Sequence, residues 1–114
     1  MRKERIEATN KVAKSLWDAE QKIEDAIAAV AQLNAILPTA RSMAKVSSII
    51  GQDVFNASCT SLRNLIKARG NMVDTHHLLD GVKTDIGLKT YNAGGGFPKF
   101  PQTAMLNIVD NQAA

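Results

Sequence analysis

The sequence predicts an all-α protein: a long antiparallel helical hairpin followed by an extended C-terminal arm. Three observations carry that expectation. Apolar and small residues recur every three or four positions from Met43 to Ile86, with a mean step of about 3.6, the repeat of an α-helix. A second run, Thr9, Val12, Leu16, Ala19, Ile23, Ala26, Val30, Leu33 and Leu37, alternates steps of three and four, the spacing of a coiled-coil seam. The charge-poor stretch after Lys89 holds Gly94-Gly95-Gly96 and Phe97-Pro98-Lys99-Phe100-Pro101, which suits a hinge and an extended course rather than a core.

The first helix is expected over about residues 3–37. Ile6, Ala13 and Ile27 widen its seam, and Glu7–Lys11 and Asp18–Lys22 are acid-to-base pairs four residues apart that support an exposed helix face. The segment Ala26–Ala31 is apolar nearly all round, the mark of a helix covered on more than one side. Leu16, Trp17, Ile23, Ile27, Val30 and Leu33 are therefore the expected contacts of a homo-oligomer. For Trp17 simple packing competes with a role as a subunit anchor.

Pro38 is expected to stop this helix, because proline lacks an N–H and its predecessor avoids helical angles. Thr39 would then cap a second helix over about residues 39–88. So short a connection forces the helices antiparallel, with the first helix reaching only to about residue 73 of the second. Two signals compete at Gly70. Lys67-Ala68-Arg69-Gly70-Asn71 has the form of a helix end, yet the apolar stripe keeps its phase across it, so both a continuous or kinked helix and a true break stay open. The domain division is a hairpin at 1–88 and a Gly/Pro-hinged tail at 89–114, whose Phe97 and Phe100 are the expected docking residues on a neighbouring chain.

The net charge of +3 comes from residues 38–89, since residues 1–37 balance six basic against six acidic side chains. Arg63, Lys67 and Arg69 are the expected contact if nucleic acid is bound, although a solvated helix end is the favoured reading of them. Cys59 stands alone, which excludes an intramolecular disulfide, suits a reducing compartment, and suggests a small packed apolar residue. The basic start Met1-Arg2-Lys3-Glu4-Arg5 leads into charged residues rather than the apolar core of a signal peptide, and no run is long enough for a membrane span.

No motif names a reaction. His76 and His77 sit beside acids at helical spacing, but adjacent histidines diverge by about 100° on a helix and no second ligand cluster completes a metal site. The glycines at 94–96 lack the Gly-Lys-Ser/Thr ending of a phosphate loop. The expectation is a non-enzyme without cofactor. In general outline the chain resembles small helical components of virus particles and other self-assembling machines, which implies a structural, self-associating role. The setting would be a tailed-bacteriophage virion or the cytoplasm, with other assembly proteins as partners. A nucleic-acid-associated accessory protein is the alternative.

Overall fold

The computed structural model describes residues 1–92, and the expected docking residues Phe97 and Phe100, with the arm beyond Asn92, lie outside the described residues. Two helices account for nearly all of it: α1, Arg2–Ala44, and α2, Gln52–Asp85, packed antiparallel as a hairpin 66 Å long. Contacts along the pair fix the register. Tyr91 meets Asn10, His76 meets Glu20, Arg69 meets Glu24, and Ser58 meets Asn34. The expected Asp18–Lys22 pair forms at 2.8 Å on the exposed face, and its hydrogen bond holds Lys22 above the ordinary lysine range.

The turn lies later than the proline rule places it. Pro38 sits inside α1, which runs on to Ala44, and Thr39 caps nothing. Proline removes the N–H that would bond the Asn34 carbonyl and costs about 3 kcal/mol in a helix interior. That local cost is outweighed because the longer α1 matches α2 along its whole length. The end of α2 thus pairs with the start of α1, and the seam no longer runs out at residue 73. Gly70 neither breaks nor ends α2, which passes through it with a helical backbone.

The connection, residues 45–51, carries its own signals. Lys45 ends α1 in the left-handed conformation (φ 55°), and its N–H donates to the Ser42 carbonyl at 3.2 Å. Gly51 starts α2 at φ 98°, where only glycine sits without strain. Arg41 ties the turn together: its Nε donates to the Ile50 carbonyl at 2.9 Å and its Nη2 to the Ser47 carbonyl at 2.5 Å. Its guanidinium also lies 6.0 Å from the centre of the Phe55 ring. Arg41→Ala is expected to cost about 1–3 kcal/mol, with Arg41→Lys recovering less than half because a lysine cannot fork between two carbonyls. Urea denaturation followed by circular dichroism reads this directly, and equal stability of the three proteins would refute it.

The open end is closed by a helix-stop motif. At the end of α2, the Gly87 N–H donates to Thr84 and the Leu88 N–H to Lys83, with Gly87 at φ 83°. This double bond with a left-handed glycine is a Schellman cap. It turns Leu88 inward, where it is 1% exposed, the one buried hydrophobic residue among those described.

Candidate interaction surface

Each helix of the hairpin has a heptad pattern, and naming its positions a to g separates two kinds of surface. The a and d positions face the other helix. On α1 they include Ile6, Leu16, Ile23, Ile27, Val30 and Leu37, and on α2 Phe55, Ser58, Leu62, Leu65, Met72 and Leu79. All of these are half-buried except Ser58, which is buried. Of the residues expected between chains, then, Leu16, Ile23, Ile27 and Val30 fall in the seam inside the hairpin. Trp17 and Leu33 face outward, 40% and 48% exposed.

The apolar stripes visible in the sequence are wider than this seam. Four of the nine members of the α1 run, Val12, Ala19, Ala26 and Leu33, occupy g positions on one flank. The α2 stripe divides in the same way, with Val54, Ser61, Ala68, Thr75 and Val82 at g. Since the helices run in opposite directions, both sets of g positions lie on one side of the hairpin. A shallow groove whose lining includes Leu37, Ala40, Val54 and Phe55, with Arg41 of the turn at its edge, shows this, because Ala40 and Val54 are g residues of different helices. The register makes rungs across the flank: Val12 is level with Val82, Ala19 with Thr75, Ala26 with Ala68, Leu33 with Ser61, and Ala40 with Val54. None of these positions carries a charge, whereas the g positions of a soluble coiled coil are ordinarily rich in Glu and Lys.

The opposite flank is different in character. A second shallow groove there is lined by Glu20, Ile23, Glu24, Arg69, Met72 and Val73. Glu24 and Arg69 form an ion pair across it, and His76 Nδ1 lies 3.2 Å from Glu20 Oε1. Arg69 is thereby engaged with α1. Arg63 and Lys67 lie on exposed positions of α2, four residues apart.

Exposed apolar bulk concentrates toward the turn. Leu33, Ile36, Met43, Ile49, Ile50 and Val54 are 48–84% exposed, and from Ala26 to Ala40 there is no charged residue at all. Cys59 is exposed rather than packed, on the flank opposite the uncharged one. Among the described residues no group of three His, Cys, Asp or Glu side chains could hold a metal ion, and no helix is long and apolar enough to cross a membrane. The sequence missed the uncharged flank because its stripe merged inward and outward positions. The missing signal was the register, which only the place of the turn supplies. Comparison with protein-family models, with curated proteins and with solved structures finds no match.

Proposed function

We propose that this chain is a structural, self-associating protein that builds an assembly by packing its hairpins side by side. One observation supports this above the rest: among the described residues the hairpin buries a single hydrophobic side chain, Leu88, while a long uncharged apolar flank stays open to water. Fully burying a Leu, Ile or Met contributes about 1.5–3 kcal/mol, and two helices alone leave most of that unrealised. An uncharged face of this length marks a protein contact. Light scattering at micromolar concentration is expected to give a mass of at least two chains. A folded particle of 12.3 kDa would overturn the proposal.

The single exposed thiol of Cys59 suits assembly in a reducing compartment, and a tailed-bacteriophage virion is one particle built in such a setting. The segment after Gly96 is proposed to dock on a neighbouring chain through Phe97 and Phe100, whose flanking prolines lower the entropy lost on binding. Removal of residues 94–114 is then expected to leave the circular dichroism of the hairpin intact while reducing particle size in solution. Loss of helical signal would instead make that segment part of the hairpin's own core.

A further inference from the structure

We infer that the uncharged flank is a two-fold interface with a second copy of this chain, the two hairpins lying parallel with their turns at the same end. The inference rests on the self-association proposed above and names the surface and the geometry that carry it.

The occupant must be helical and uncharged. The flank repeats every seven residues on both helices, the same periodicity that α2 satisfies in the inner seam, so it offers holes for the side chains of another helix pair. Its rungs from Val12–Val82 to Ala40–Val54 present no charge for a charged partner to complement. Its size is sufficient: the rungs from Val12–Val82 to Ala40–Val54 span about 42 Å at about 1.5 Å per residue, and with about 20 Å of width for two adjacent helices they give roughly 800 Å², the area per partner of a standard stable interface.

The rungs explain why a second copy fits. A two-fold axis along the hairpin places α1 of one copy over α2 of the other at the same level, so each rung meets itself reversed. Leu33 then lies over Ser61 of the copy, Ala40 over Val54, and Ala26 over Ala68. A large side chain meets a small one at the first two levels, and at the third two alanines let the backbones approach closely. The opposite arrangement, with turns at opposite ends, would set the apolar turn against the end of the flank where Arg5 continues the α1 row. Only the parallel arrangement joins Met43, Ile49 and Ile50 to their counterparts.

Two measurements on the full chain test this. In sedimentation, Leu33→Lys is expected to weaken self-association by about a hundredfold while circular dichroism keeps its helical signal. Ile66→Lys, on the other flank, is expected to change it by less than about threefold. Ser61→Lys, at an exposed helical position, gives the same reading should Leu33→Lys fail to fold. A nitroxide on Ser48→Cys in a Cys59→Ser background then reports the direction. Parallel hairpins bring the two turns within roughly 20–30 Å, given helix spacings of about 8–10 Å. Turns at opposite ends would lie about the 66 Å hairpin length apart. A wild-type monomer overturns both the self-association reading and this interface. An oligomer that tolerates lysine at positions 33 and 61, or a long distance between turns, overturns the interface alone.

Discussion

Leu88→Ala is expected to destabilise the hairpin by about 2–5 kcal/mol, the range for emptying a buried leucine site. Few domains have more than about 5–15 kcal/mol in total, so this one change removes a large part of the reserve. The reason lies in what Leu88 joins. It is 1% exposed and sits at the end of the cap that closes α2. From the same stretch the Ile86 carbonyl accepts from Arg5 Nη1 at 3.2 Å, and the Tyr91 hydroxyl donates to Asn10 Oδ1 at 2.8 Å. Lys83 Nζ adds a bond to the Tyr91 carbonyl at 2.6 Å. Losing the side chain therefore loosens the first turns of α1 as well as the end of α2. Urea denaturation gives the free energy, and hydrogen exchange around Asn10 should accelerate in step. Gly87→Ala is expected to cost less, about 1–2 kcal/mol, because it strains one backbone position at φ 83° and leaves the leucine in place. If Leu88→Ala changed stability by less than about 0.5 kcal/mol, the open end would lie outside the cooperative unit.

Helix type and antiparallel pairing were legible in the sequence because they depend on periodicity, which Thr9 to Leu37 and Met43 to Ile86 display over many turns. The turn was misplaced because its strongest local sign, Pro38, lost to a longer-range demand. Helix α1 gains packing by continuing to Ala44, and that gain is invisible until α2 has a partner along its whole length. The true turn announces itself weakly, through Ser47, Ser48 and a Gly51 that reads equally well as a helix-interior glycine. The Arg41 bonds that hold it are contacts to carbonyls, which no residue pattern encodes. Gly70 misled in the other direction, since a glycine after two basic residues has the chemistry of a stop, yet the seam on both sides keeps it helical. The interaction surface was half legible. Its residues lay in the stripes that periodicity picked out, but dividing them between Leu16 and Ile23 inside the hairpin and Val12 and Leu33 outside it needed the register.

Ser58→Ala is expected to cost about 1–2 kcal/mol although it removes a single oxygen. Ser58 is the one buried polar residue among those described, and its hydroxyl donates to Asn34 Oδ1 across the seam. Alanine leaves the half-buried Asn34 amide without that donor, so the penalty is the desolvation of an unmet acceptor rather than lost packing. Asn34 is doubly placed: its backbone carbonyl is the one that Pro38 deprives of an intrahelical N–H, and its side chain is the one that meets α2. The pair thus stands where α1 is weakest and fixes which residues face each other, as a buried polar position does in other helix pairs. Combining Ser58→Ala with Asn34→Leu removes both partners, and the double variant is expected to be as stable as the wild type or more so. A double-mutant cycle in urea therefore predicts a favourable Asn34–Ser58 coupling, with Ser58→Ala alone less stable than the pair of changes together. A neutral Ser58→Ala would mean that water satisfies Asn34, and the register would then rest on the apolar seam, the Arg41 turn and the other cross-helix contacts.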